Sequence, residues 1–307
     1  MSLHPELNDL LELRHHAQTF GLASHHLVNS AFSGLYASVF RGSGLDFEEV
    51  REYREGDDIR NMDWHVTART NTPHLKVYRE ERERTVMLCV DRGPHMDFGT
   101  RGTFKSIQAA HAAALLGWAA NTHHDRVGGL LFGEPGKPLE YFRADRGWRT
   151  LWRVLRTLAE PTSEGAPAEE DSLVNALKRL DRGTPTGSLI FVIAALNRDV
   201  TPLEKPLGAL RQRHTVVLLP VDDPADQDIP SMGRVVFSGP DGNLVEIDTD
   251  NDAGRRLYRM DWDKNRHELQ SMANSLGITL IPLHTQQDVH RAITEGLWRR
   301  TRVRVVG

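Results

Sequence analysis

Two stretches of this 307-residue chain combine residue types that could do chemistry. The first is Asp91-Arg92-Gly93-Pro94-His95-Met96-Asp97, which follows the apolar run of residues 85–91, TVMLCVD. An acid at the end of such a run, before a Gly-Pro turn, is placed to bind a cation or to tie down its own loop. The second stretch holds Asp46, Phe47, Arg51, Tyr53, Gly56, Asp57, Asp58, Arg60, Asp63, Trp64 and Arg69, and ten of the sixteen residues from Glu48 to Asp63 are charged. Arg51, Arg60 and Arg69 alternate with the acids, which favours a rigid polar network because guanidinium groups grip carboxylates in a fixed fork. A partner-binding surface can sit on such a network. Asp91 and the acids of residues 46–63 could instead serve a metal-dependent hydrolase or nuclease, although no lysine or basic track accompanies the latter. Gly56 permits a turn, Asp57 or Asp58 can cap a following helix, and Ile59, Met62 and Val66 would then share one face of it.

Other chemistry finds little support. No G-x-G-x-x-G follows a strand and no G-x-x-x-x-G-K-[ST] occurs, so a dinucleotide or P-loop enzyme is not indicated. Ser231, Ser238 and Thr279 lack a nucleophile elbow. The pairs His15-His16, His25-His26 and His123-His124 have no metal-ligand spacing, and His111 falls on an apolar face. Cys89 is the single cysteine and sits inside an apolar run, so it reads as a core thiol in a chain without disulfides.

The elements that must position these residues follow from periodicity. Continuous apolar runs at 85–91, 126–132, 188–196, 214–221 and 278–283 read as buried parallel strands, with an edge strand near 138–142. Helical spacing appears at about 7–20, from Thr103 (as N-cap) to Trp118, and at 148–159, 171–181, 203–213, 252–275 and 286–299. The segments 233–238 and 244–248 flank GPDGN and predict a hairpin insertion. The fold class is therefore α/β: a doubly wound, mainly parallel sheet with helices on both faces. Residues 1–84 form an N-terminal helix and charged subdomain, and residues 85–307 the α/β domain. Arg255, Arg256, Arg259, Asp261, Asp263 and Lys264 give the helix at 252–275 a solvated face.

Lys and Arg total 38 against 42 Asp and Glu, for a net charge of −4, so there is no basic excess for nucleic acid. The longest apolar stretches are about half a bilayer span, and the N-terminus lacks signal-peptide character. A cytoplasmic protein is expected.

The strand end at Asp91 resembles the metal-ion-dependent adhesion loop, D-x-S-x-S, of von Willebrand factor A domains. Gly93 and His95 stand at the serine positions, and Ala194 or Ala195 where a later acid would lie. That leaves a degenerate loop, in which Asp91 only organises its own turn, or a repurposed softer-metal site through Asp91, His95 and Asp97. The long motif of residues 44–69, with Lys76, residues 79–82, Asp125–Gly128, His214 and Asp222–Pro224, resembles the bacterial domain-of-unknown-function family fifty-eight. The resemblance implies a von Willebrand factor A-like fold and genes neighbouring MoxR-type AAA+ ATPases. It further implies a non-enzymatic, cofactor-free interaction module that acts with such an ATPase on a client protein.

Overall fold

The computed structural model describes residues 4–22, 45–53, 62–80, 84–162, 172–238 and 244–305. In chain order its elements are α1 (Leu7–Leu22), β1 (Leu45–Glu52), α2 (Trp64–Thr70), β2 (His74–Glu80), β3 (Thr85–Asp91), α3 (Lys105–Thr122), β4 (Arg126–Phe132), β5 (Glu140–Asp145), α4 (Trp148–Ala159) and α5 (Ser172–Gly183). There follow β6 (Leu189–Ala194), α6 (Thr201–Arg213), β7 (Thr215–Asp222), α7 (Pro224–Gln227), β8 (Arg234–Ser238), β9 (Leu244–Asp248), α8 (Asp252–Ser275), β10 (Thr279–Leu280), β11 (Leu283–His284) and α9 (Val289–Val305).

Seven strands form the main sheet, in the order β5-β4-β3-β6-β7-β10, with β11 also on β7. All its pairs are parallel except β4 with β5. Counted along the chain this is the 3-2-1-4-5-6 order of a doubly wound sheet, whose direction of winding reverses between its first and fourth strands. Those strands are β3 and β6.

Both faces of the sheet are covered, which is why its strands are apolar without alternation. Val86, Leu88 and Val90 of β3 point to a core shared with α1, α3, α4 and α9, and Met87 and Cys89 point to a second core under α5, α6 and α8. Burial first, and then the nearby charge of Asp91, push the Cys89 thiol pKa upward, as befits a core residue.

Helix α3 is buried almost all round, because Ala109, Ala110, Ala112, Ala113 and Ala114 let it lie close to its neighbours. A helix apolar on every side needs cover on its outer side too, and α1 supplies it. Leu10 and Ala17 are buried there, and Trp118 Nε1 donates to the Leu10 carbonyl at 3.0 Å. The N-terminal helix is thus part of the α/β core, whereas β1, α2 and β2 make their own two-stranded antiparallel unit.

Two expectations about element ends and one about a shared helical face are corrected. The N-cap of α3 is Phe104 rather than Thr103, and no side chain caps it. The run at 278–283 is two short strands, not one. Ile281 N still donates to Leu218 O at 2.8 Å, but Pro282 has no N–H to continue the ladder before β11 pairs with Val221 and Asp222. Near the charged motif, α2 starts at Trp64 and its cap is Asp63, which accepts from His65 and Val66. Met62 lies before that helix, in a bridge to Leu75. Gly56, Asp57, Asp58, Ile59 and Arg60 lie outside the described residues.

Gly128 shows why a glycine interrupts the apolar run of β4. A Cβ there would fall 2.7 Å from Met87 Sδ and 2.7 Å from the Phe142 carbonyl, so the close approach of β5 requires its absence.

His214, between α6 and β7, is 3% exposed and neither ring nitrogen has a hydrogen-bond partner. Burial, and then the Arg213 charge, hold its pKa below the ordinary 6.5, against a smaller opposing pull from Asp181. The unfolded chain therefore takes up a proton that the folded chain resists. This contribution to stability is full above about pH 6.5 and shrinks as the pH falls through that value toward the lower folded pKa. Urea melts at about pH 7.5 and about pH 5.5 check this, and His214→Phe is expected to show a shallower loss.

Candidate functional site

Asp91, at the carboxyl end of β3, lies beside the place where the winding of the sheet reverses. Crevices in open α/β sheets form at such points. The register pairs Val90 with Ile193, so Ala194 of β6 stands level with Asp91 and presents no oxygen to it.

The Asp91 side chain is 1% exposed and engaged by its own chain. Oδ1 accepts from Gly93 N at 2.8 Å, and Oδ2 shares a 2.9 Å hydrogen bond with His95 Nε2. Arg198 Nη2, from the segment after β6, stands 3.8 Å from the same oxygen while also donating to the Ala195 carbonyl. His95 is half exposed and closes over the carboxylate from the solvent side. Two glycines make that possible. A Cβ on Gly93 would lie 2.4 Å from His95 Cε1, and one on Gly133, which sits at φ +89°, would fall 2.7 Å from Asp91 Oδ1.

A divalent ion of the kind that the adhesion loop holds requires several hard oxygens. Here Gly93 and Ala194 supply none, and His95 offers nitrogen. The residues present therefore do not fit Mg²⁺. The softer-metal grouping of Asp91, His95 and Asp97 does not assemble either: Asp97 Oδ2 accepts from Thr162 Oγ1 at 2.7 Å, and among the described residues no cluster of three or more His, Cys, Asp or Glu could hold a metal.

Around this loop lie ionic contacts that sequence reasoning missed. Arg92, 4% exposed, meets Glu134 at 2.7 Å and donates through Nη2 to the Glu160 carbonyl, so it joins the ends of β3, β4 and α4. Lys137 approaches Glu134 from the other side at 2.7 Å. Farther along the strand ends, Asp223 accepts from Thr100 N, Thr100 Oγ1, Thr285 Oγ1 and Ala225 N. Burial opposes its ionisation, but the hydrogen bonds from Thr100 and Thr285 outweigh it and keep the carboxyl pKa below the usual range. Asp222 goes the other way, because burial raises its pKa more than its contact with Arg266 lowers it. Lys105 and Asp226 pair at 2.7 Å. The signal that could have pointed to Arg198 is its place just after β6, next to a strand already assigned as neighbour of Asp91.

The other predicted residues among those described lie on a different sheet or on the helix beside it. Asp46, Phe47 and Arg51 fall on β1, opposite Arg79, Tyr78 and Leu75 of β2, with a register shift between Phe47 and Glu49. Tyr53 follows, its N–H donating to the Pro73 carbonyl at 2.8 Å. Trp64 and Arg69 are both exposed on α2, a helix that buries none of its residues, and the Trp64 exposure is 67%. Asp46, Phe47, Arg51, Trp64 and Arg69 thus belong to a different sheet and its helix from the sheet that carries Asp91.

The family described as "Protein of unknown function DUF58" matches residues 49–268. The uncharacterized protein Mb1516 of Mycobacterium bovis is 29% identical over 272 residues, covering 88% of this chain and 84% of its own. Among solved structures, the conserved hypothetical protein BatB of Bacteroides thetaiotaomicron is 15% identical with a TM-score of 0.42, covering 71% of this chain and 99% of its own. The SpRpn10 VWA domain is 13% identical with a TM-score of 0.37, covering 69% of this chain and 94% of its own. The doubly wound assignment stands on the strand order itself.

Proposed function

The chain belongs to the DUF58 family, and on that premise we propose that it is a non-enzymatic protein-interaction module, the partner of a MoxR-type AAA+ ATPase in chaperone-like assembly or maturation of a client protein. One observation carries the reading. The acid that would anchor a metal-dependent site, Asp91, is engaged inside the chain by Gly93, His95 and Arg198, so its carboxylate is not bare. In this proposal the adhesion loop is degenerate and partner binding needs no metal. A cytoplasmic location belongs to it as well, as does a charged-motif subdomain that ends near residue 84, with α1 packed on the α/β domain. No helix among the described residues is long and apolar enough to cross a membrane, which is compatible with the first.

The docking surface is placed on the family motif, at α2. Trp64 offers a large, rigid apolar side chain to solvent, the type that dominates interface energies, and Arg69 is exposed in the last turn of the same helix. Trp64→Ala is expected to weaken binding of the ATPase about tenfold or more, with circular dichroism and melting unchanged. Binding of the unaltered protein is expected to persist in chelator. Undiminished affinity of the Trp64 variant would remove α2 from the interface, and loss of binding in chelator would restore a metal-dependent reading.

A further inference from the structure

Ten large apolar residues are exposed among the described residues, and seven of them fall between Met232 and Met260. Two belong to the outward face of α8: Leu257 is 67% exposed and Met260 66%. This helix turns Leu269, Met272 and Ala273 to the core, and Trp262 and Arg266 are partly covered on the same side. The opposite side carries Ala253, Leu257, Met260 and Lys264, at successive spacings of four, three and four. That is the a/d rhythm of a helix that packs on another helix.

The flanking charges say which helix. Arg256 and Asp263 are one heptad apart and lie on the same edge of the apolar stripe, at the position before each a residue. Both are exposed, and among the described residues neither forms an ion pair. When two copies of one helix pack antiparallel about a two-fold axis, equivalent edges face each other and their sequences run in opposite directions. Arg256 of each copy then meets Asp263 of the other, while Leu257 and Met260 meet across the centre. A single charged position would face its like in this arrangement. Opposite charges one heptad apart make the face complementary to itself.

We propose that α8 is a self-association surface, through which two copies of this chain pair as an antiparallel, two-fold symmetric dimer. The stripe is short, so the dimer is a weak one. Its formation does not depend on the Asp91 crevice or on α2, and it supplies a paired scaffold for whatever those surfaces bind.

Sedimentation of the full chain tests this. The mass is expected to rise toward twice 34.6 kDa as concentration increases to about 200 µM, in the range where small interfaces associate. Leu257→Glu with Met260→Glu is expected to leave a monomer with unchanged melting, because both side chains are exposed in the single copy. Arg256→Asp alone and Asp263→Arg alone each set like charges opposite one another and are expected to weaken the dimer roughly two- to fivefold. The double exchange, Arg256→Asp with Asp263→Arg, is expected to restore it. A monomer throughout the concentration range, a dimer indifferent to the Leu257 and Met260 changes, or a double exchange that stays as weak as its parents would each overturn the proposal.

Discussion

Arg92→Met is expected to lower the free energy of unfolding by about 1 to 3 kcal/mol, because the Glu160 carbonyl loses its donor and Glu134 loses its most buried contact while keeping Lys137. Arg92 and Glu134 are 4% and 6% exposed, so water does little to screen the pair or to take its place. Their 2.7 Å contact is an ion pair without good hydrogen-bond alignment at Nη1, and the aligned bond goes from Nη2 to the Glu160 carbonyl. One guanidinium therefore holds three chain segments at the end of the sheet that carries Asp91. Urea denaturation measures the loss. Replacing Glu134 by Met as well is expected to recover part of it, because an apolar pair has no stranded charge, although Lys137 then loses its own contact with Glu134. A loss below about 1 kcal/mol for the single change would mean that Glu134 is satisfied without Arg92.

Trp118→Ala is the second large effect, at about 3 to 5 kcal/mol, the range for truncating a buried aromatic. Trp118 is 5% exposed within the core and also binds the Leu10 carbonyl, so it holds α1 against α3. Because α3 is apolar on nearly all sides, loosening α1 exposes alanine-rich surface that nothing else covers. Trp118→Phe keeps most of the volume and is expected to lose only about 1 kcal/mol, the share of the hydrogen bond. Hydrogen exchange distinguishes the two: the amides of α1 are expected to lose protection in the alanine variant well before those of β3 and β6. Equal loss of protection across α1 and the sheet would mean that α1 has no separate opening.

The strands that build the crevice were legible because each is buried on both faces. Residues 85–91 and 126–132 end where their apolar runs end, and the runs at 188–196 and 214–221 needed only small trims to β6 and β7. The edge was harder. The strand expected at 138–142 lies at Glu140–Asp145, since a half-exposed edge strand carries a weaker pattern than a central one. At the last strand the pattern was apolar but one proline split the ladder. At α2 the cap is Asp63, which no periodicity marked, because only the backbone turn there decides that its carboxylate points at free amides.

The site divided in the same way. That Asp91 ends a strand, and that the serine positions of the adhesion loop hold Gly93 and His95, is written in local sequence. From this alone the chain is a doubly wound α/β protein of the DUF58 family with an atypical strand-end loop. What becomes of the Asp91 carboxylate is a different matter. Arg198 reaches it from the segment after the neighbouring strand, His95 folds back on it where Gly93 leaves room, and Arg92 finds its partners just past β4 and at the end of α4. Local apolar periodicity records how much water each residue will meet, so it determines elements and their burial. Which charges meet depends on strand order and register, and those are settled by contacts between residues far apart in the chain. Only the tertiary structure could decide that this acid is held from within.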